Sequence, residues 1–298
     1  MILLSGSSNK PLAQKIATHM DMKLGDIELS SFPNGELRVW VKEEVKGHDI
    51  ALIQSFSSPV DTHIVEFALI TDALFRSGAR RVFAVIPWYG YSLQDKVFRP
   101  GEPIAAKVIA SMLVSQSVYR FILMNLHNSS IAGFFDKPSS VLSSDDVFTE
   151  TIESLGKQTV IVSSDFGGLK YAGRFAQKFG LPIANIDKRR DLTTGKVQAR
   201  SLTGDVKGMT AVIVDDVING GSTAVEAAKI VRENGAKKII MISTHGVFAG
   251  DAVESLQNSE LDEVIITDTI DTSGKTFPKL RVLSVADIFA KELKLWSR

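Results

Sequence analysis

Short apolar runs rich in β-branched residues alternate along the chain with longer segments of helical period. The runs Ile50–Ile53, Val82–Ile86, Phe121–Met124, Val160–Val162, Ala211–Val214, Ile239–Ile242 and Val264–Ile266 have the length and composition of buried strands. Segments at about 62–77, 103–116, 168–179, 222–234 and 286–296 carry the helical period. The strands are almost continuously apolar rather than alternating, which predicts a sheet covered on both faces. Strand–helix–strand order then predicts a parallel, doubly wound α/β architecture. The first 45 residues differ. There Ile27–Phe32 and Leu37–Val41 flank Pro33-Asn34-Gly35, a turn signal that predicts a hairpin-like flap.

A weak internal repeat points to two similar units. Ser77-Gly78-Ala79-Arg80-Arg81-Val82-Phe83-Ala84-Val85 resembles Asn234-Gly235-Ala236-Lys237-Lys238-Ile239-Ile240-Met241-Ile242, 157 residues further on. In each, a helix ends at Gly and two cations precede a buried strand. An offset near half the length favours two α/β domains, 1–145 and 146–298, divided within the polar stretch from Ser139-Ser140 to Asp145-Asp146. Whether the last helix packs back on the first domain stays open.

Composition narrows the chemistry. The 298 residues hold 34 Lys+Arg against 34 Asp+Glu, a net charge of zero that removes the case for a general nucleic-acid or anionic-membrane binder. No cysteine is present, which excludes disulfides, zinc–thiolate and iron–sulfur sites, and cysteine nucleophiles. The N-terminal Met-Ile-Leu-Leu-Ser-Gly lacks the basic flank of a signal peptide, and no run reaches the roughly 18 apolar residues of a membrane helix. A cytoplasmic globular protein is expected.

The stretch richest in chemistry is Ala211-Val212-Ile213-Val214-Asp215-Asp216-Val217-Ile218-Asn219-Gly220-Gly221-Ser222-Thr223. An apolar strand leads into paired carboxylates, a Gly-Gly turn follows, and Ser/Thr opens an amphipathic helix. Glycines permit close backbone approach, and a helix N-terminus presents N–H groups and a positive dipole end. Ser222 and Thr223 have hydroxyls that can cap the helix or donate to a phosphate. The pattern reads as an anion cradle beside two carboxylates suited to sugar hydroxyls or a metal; a plain strand-to-helix turn has the same local look. It is neither a Walker A loop nor a G-x-G-x-x-G dinucleotide fingerprint.

This segment resembles the 5-phosphoribosyl loop of type I phosphoribosyltransferases and of ribose-phosphate diphosphokinases (PRPP synthetases). Phe32-Pro33-Asn34-Gly35-Glu36, Gln94-Asp95-Lys96, Phe98-Arg99-Pro100-Gly101-Glu102-Pro103-Ile104, Leu126-His127 and Gly133-Phe134-Phe135-Asp136 resemble PRPP synthetase segments in that family's order and spacing. Ser164-Asp165-Phe166-Gly167-Gly168 and Asp187-Lys188-Arg189-Arg190 match two more. The resemblance runs over essentially the whole chain and so favours the synthetases.

It implies two phosphoribosyltransferase-like domains with the active site between them, and a Mg²⁺-dependent transfer of pyrophosphate from ATP to the anomeric hydroxyl of ribose 5-phosphate. Phe32, Asn34 and Glu36 would reach the adenine of ATP from the flap of a neighbouring subunit, which implies a homodimer or hexamer. Gln94 and Asp95 would contact the nucleotide. His127 would act at the metal–triphosphate, with Asp165 helping to hold the Mg²⁺. Lys188 and Arg190 would lie on a mobile catalytic loop, where residues 187–200 hold five cations and two carboxylates. Asp215, Asp216, Asn219, Gly220, Gly221, Ser222 and Thr223 would bind the ribose 5-phosphate.

The chain also departs from the family pattern. Leu93 and Asn125 stand where an arginine and an aspartate are usual, Tyr171 and Gly173 stand where arginines are common, and Asn219-Gly220-Gly221-Ser222 replaces Asp-Thr-Gly-Gly. Two alternatives therefore accompany the main expectation: a larger 5-phosphoribosyl acceptor such as ADP-ribose, or a non-catalytic partner of an active synthetase. The presence of Lys188, Arg190, His127, Asp165, Asp215 and Asp216 argues against the latter.

Overall fold

The computed structural model describes residues 1–114, 117–165, 167–190 and 197–297, and for 188–190 and 197–200 the description is of the backbone. The chain divides into two compact units. Residues 1–144, 269–271 and 284–298 form the first, and 145–268 with 272–283 form the second.

The first unit runs β1 (Ile2–Ser5), α1 (Lys10–His19), β2 (Ile27–Ser31), β3 (Leu37–Val41), β4 (Asp49–Ile53), α2 (Val60–Arg76), β5 (Arg81–Ile86), α3 (Ala105–Val114), β6 (Arg120–Met124) and β7 (Ser139–Leu142). Its sheet has the order β1-β4-β5-β6-β7, and every pair is parallel. Alternate residues of these strands supply two apolar faces. Ile50, Leu52, Val82, Ala84, Ile86, Phe121 and Leu123 pack with Phe67, Ile70 and Leu74 of α2 and with Ala106 and Ala110 of α3. The expected hairpin forms from β2 and β3. It lays Ile27, Leu29, Val39 and Val41 against this core and turns Trp40 outward.

The second unit runs α4 (Thr149–Ser154), β8 (Thr159–Ser163), α5 (Leu169–Phe179), β9 (Ile183–Arg190), β10 (Val197–Thr203), β11 (Thr210–Ile218), α6 (Ser222–Glu233), β12 (Lys238–Gly246), α7 (Ala252–Gln257), β13 (Glu263–Thr267) and β14 (Leu280–Leu283). The seven strands take the order β10-β9-β8-β11-β12-β13-β14, parallel except for the β9–β10 pair at the edge. Helices bury α5 residues Ala172 and Phe175 in one core and α6 residues Ala224, Ala227 and Val231 in the other, so the sheet is covered on both faces. The last helix, α8 (Ala286–Trp296), belongs to the first unit. It buries Ala286, Phe289, Ala290 and Leu293 and packs beside α1.

Several segments differ from the sequence reading. The strand expected over Ala211–Val214 continues to Ile218, because β12 keeps pairing with it as far as Gly246. Asp215 and Asp216 therefore lie within β11 rather than after it. The polar Ser139–Leu142 is an edge strand, and the backbone of 188–190, expected as loop, completes β9. The internal repeat is matched bond for bond. Gly78 and Gly235 both have left-handed φ, and each carbonyl accepts a backbone N–H at 2.8 Å, from Gly47 and Gly208 respectively.

Candidate functional site

In the second unit the carboxyl ends of β8 and β11 gather the acidic residues. β8 stops at Ser163, and Ser164 and Asp165 follow it. Asp165 is held by its own turn: its Oδ1 accepts the Gly168 N–H at 2.9 Å, and its carbonyl accepts the Ser163 hydroxyl at 2.7 Å. The Ser164 hydroxyl donates to Asp215 Oδ2 at 3.0 Å, and Asp215 Oδ1 accepts the Asp216 N–H at 2.9 Å. Burial first, then the charge of Asp216 and of Asp165, pushes the Asp215 carboxyl up to about 8. A buried carboxylate crowded by two others favours anything that supplies positive charge or hydroxyl donors.

The strand then delivers the loop. Asn219 and Gly220 are exposed, and the Asn219 carbonyl accepts the Ala249 N–H at 2.9 Å. Gly221, not Ser222, is the N-cap of α6, with φ of 77°, and Ser222 and Thr223 are the first helical residues. A glycine cap offers no side-chain oxygen to the first-turn N–H groups. These groups head a twelve-residue helix, an arrangement able to receive an anion.

Tyr171 and Thr244 complete the surroundings. β11 and β12 pair Asp215 with Ser243 and Val217 with His245, which places Asp216 beside Thr244 on the face that α5 covers. The Tyr171 hydroxyl lies 3.4 Å from Thr244 Oγ1, its ring is 5.1 Å from that of Phe175, and Arg174 stacks on it. Burial above all, with the charges of Asp145 and Asp216, keeps this phenol protonated well above the ordinary tyrosine value. Where the resemblance implies an arginine, this chain has a phenol packed against the α5 core. Thr244 was not singled out from sequence: a threonine inside an apolar strand gives no local signal.

In the first unit, Gln94 and Asp95 lie on the loop after β5, and His127 lies just past β6. Both positions are at the carboxyl edge of a parallel sheet, where open α/β sheets bind ligands. Asp95 Oδ2 accepts from Asn128 Nδ2 at 2.9 Å, joining the two loops. His127 is exposed. Asn125 takes φ of 37° and accepts the Ser144 N–H at 2.9 Å, so the residue that replaces the usual aspartate serves a left-handed turn that asparagine tolerates. Phe32, Asn34 and Glu36 stand on the exposed tip of the β2–β3 hairpin. Phe32 N–H donates to the Glu36 carbonyl at 2.8 Å, and Asn34 Oδ1 accepts the Glu36 N–H at 3.2 Å. The side chains of Lys188 and Arg190 lie outside the described residues.

Among the described residues, no group of three or more His, Cys, Asp or Glu side chains is disposed to hold a metal by itself. The donors present near Asp215 are hard oxygens. They fit Mg²⁺, which keeps several waters and is held by one or two carboxylates together with substrate phosphates.

Comparison with known proteins places the chain among its relatives. Residues 1–116 match the N-terminal domain of ribose phosphate pyrophosphokinase, and residues 192–295 match the phosphoribosyl synthetase-associated domain. A ribose-phosphate pyrophosphokinase of Thermotoga maritima is 38% identical, over 98% of this chain and 94% of its own length. One from a Nostoc species is 40% identical, over 98% of this chain and 89% of its own. The crystal structure of phosphoribosylpyrophosphate synthetase from Mycobacterium smegmatis superposes with a TM-score of 0.93 at 33% identity, covering 99% of this chain and 98% of that one. With the fold and identity sustained along the whole length in agreement, the chain belongs to the ribose-phosphate pyrophosphokinase (PRPP synthetase) family.

Proposed function

We propose that the chain transfers the β,γ-pyrophosphoryl group of ATP to the anomeric hydroxyl of ribose 5-phosphate, giving PRPP and AMP. The observation that carries this reading is the continuous path from Asp215 and Asp216 on β11 into the Gly221-capped N-terminus of α6. One ligand must offer both hydroxyls and a phosphate to use it, and a 5-phosphorylated ribose does. Relatives 35–40% identical over nearly their full length bear the name of this activity.

In the reaction, the sugar C1 oxygen bonds to the β-phosphorus and loses its proton. The bond from that phosphorus to the α,β-bridging oxygen breaks, and AMP leaves with the oxygen. Such transfers depend on positioning and on neutralising charge at the equatorial and leaving oxygens. Asp215 and Asp216 would accept hydrogen bonds from the ribose 2- and 3-hydroxyls. The N–H groups of Ser222 and Thr223 and their hydroxyls would hold the 5-phosphate, with Asn219 and Gly220 shaping the approach. Phe32, Asn34, Glu36, Gln94 and Asp95 would bind ATP, and His127, Lys188 and Arg190 would meet the transferred group. Mg²⁺, when bound near Asp165, would neutralise phosphate oxygens. ATP and ribose 5-phosphate are thus the expected partners, and the flap residues fit a homo-oligomer.

The test is incubation of the purified chain with Mg-ATP and either ribose 5-phosphate or ADP-ribose, with nucleotides and sugars resolved by mass. AMP and PRPP with ribose 5-phosphate is the expected outcome. AMP with ADP-ribose alone would replace the acceptor, and no AMP with either would leave a non-catalytic partner.

A further inference from the structure

Asn128 follows His127 and precedes the short 3₁₀ turn Ser129–Phe134. Both ends of its amide are engaged. Oδ1 accepts the Ser130 N–H at 2.9 Å, and Nδ2 donates to Asp95 Oδ2 at 2.9 Å. One orientation of the amide satisfies both partners, since a backbone N–H requires an acceptor and a carboxylate accepts only. Asp95 sits 33 residues earlier, on the loop after β5. The neighbouring backbone of that loop is fixed from the other side: Gln94 N–H donates to the Tyr91 carbonyl at 2.9 Å, and the Gln94 carbonyl accepts the Ala106 N–H at 3.1 Å, at the start of α3.

We propose that Asn128 is a positioning residue for the nucleotide, holding the Asp95 carboxylate in a fixed place relative to the loop that carries His127. The inference rests on the reading of Gln94 and Asp95 as ATP contacts. A carboxylate on a loop otherwise samples several rotamers, and each must be given up when the nucleotide binds. The amide bond removes that freedom beforehand. It also ties the two loop segments together, so that a shift of one moves the other.

Two variants separate positioning from helix capping. Asn128→Asp keeps an acceptor for the Ser130 N–H, removes the donor and sets a like charge against Asp95. Asn128→Ala removes both bonds. ATP affinity is read by titration calorimetry with Mg²⁺ present, alongside KM for ATP and for ribose 5-phosphate and the melting temperature. Asn128→Asp should weaken ATP binding by about 3- to 20-fold, the range of one partly exposed charge-assisted hydrogen bond. Its KM for ribose 5-phosphate should stay within about 2-fold of wild type, because that site lies on other elements. Weakening by Asn128→Ala but not by Asn128→Asp would assign the effect to the cap and overturn the proposal. Equal ATP affinity in wild type and Asn128→Asp would overturn it while leaving the diphosphokinase reading intact. A wild-type chain that binds no ATP would overturn both.

Discussion

The backbone N–H of Asp216 donates to Oδ1 of Asp215 at 2.9 Å, so one acidic residue is oriented by the amide of the next. Their side chains stay together: after burial, the charge of Asp216 and a hydrogen bond between the two carboxyl groups do most to raise the Asp215 carboxyl. Asp215 also accepts from the Ser164 hydroxyl, and Asp216 lies near enough to Tyr171 for its charge to act on that phenol.

Asp215→Asn should separate function from stability. The substitution keeps the shape while removing a carboxyl that burial and the charges of Asp216 and Asp165 push up to about 8, so that folding at neutral pH requires it to take up a proton. Without divalent cation at neutral pH, the melting temperature should rise by roughly 2–8 °C, the shift that about 1–2 kcal/mol produces in a chain of this size. Turnover with ribose 5-phosphate should fall about 10- to 100-fold as a carboxyl acceptor for the sugar hydroxyls becomes an amide. Thermal melts in chelator and steady-state assays check both, and a lower melting temperature with full turnover would contradict the assignment.

Gly220 and Gly221 should respond differently to alanine. Gly221 holds φ of 77°, and an added Cβ would meet Leu256 at 3.4 Å, an ordinary contact, so its cost is the left-handed backbone. That is about 1–2 kcal/mol and should lower the melting temperature by roughly 2–8 °C. At Gly220 an added Cβ meets nothing within 4 Å. Gly220→Ala should leave the melting temperature within about 1 °C, yet raise KM for ribose 5-phosphate about 10-fold, because the methyl would crowd a phosphate held by this loop. An unchanged KM would take the loop out of phosphate binding.

The central strands and most of the helices were legible because apolar runs and helical period report directly on burial. β1 has only four residues and β7 begins Ser139-Ser140, so neither carries enough pattern to announce itself. The segment from Asp215 to Thr223 stood out in the sequence because glycine, hydroxyl and carboxylate stand next to one another, although its first four residues belong to β11 rather than to a loop. Tyr171, Thr244 and Asn128 were not. Their partners are 73 residues away in the Tyr171–Thr244 pair and 33 away for Asn128, and a long-range hydrogen bond leaves no periodic trace. The sequence also read Tyr171 as a lost cation, whereas the structure gives its ring a packing role against Phe175.

Trp296 should be a local fastening. Near the end of α8 its ring stacks under the Arg120 guanidinium at 4.3 Å and lies 5.9 Å from the ring of Phe83. Trp296→Ala removes both contacts and should destabilise the first unit by about 1–3 kcal/mol. Amide hydrogen exchange should quicken in β5, β6 and α8 while the strands of the second unit keep their protection. Equal loss of protection in both units, or none, would refute a local role.

Asp49 should govern acid stability in the first unit. Its side chain is 4% exposed and hydrogen-bonds Arg81 and Arg80, the latter at 2.8 and 2.6 Å. The Arg81 hydrogen bond first, then that of Arg80, holds the carboxyl well below the usual carboxylate range. A depressed folded value means that the unfolded chain binds the proton more readily, so the stabilisation is fully present above the unfolded value near 3.9 and is lost as pH falls toward the folded one. Arg80 is 61% exposed and solvent screens it, so Asp49→Asn should cost only about 1–3 kcal/mol at pH 7. Between pH 7 and about 5 the gap between wild type and variant should stay constant, and below about pH 4 it should shrink as the wild-type carboxylate takes up its proton. Denaturant melts of both proteins across this range measure the gap directly, and a gap that widens on acidification would show that the aspartate is not the stabilised partner.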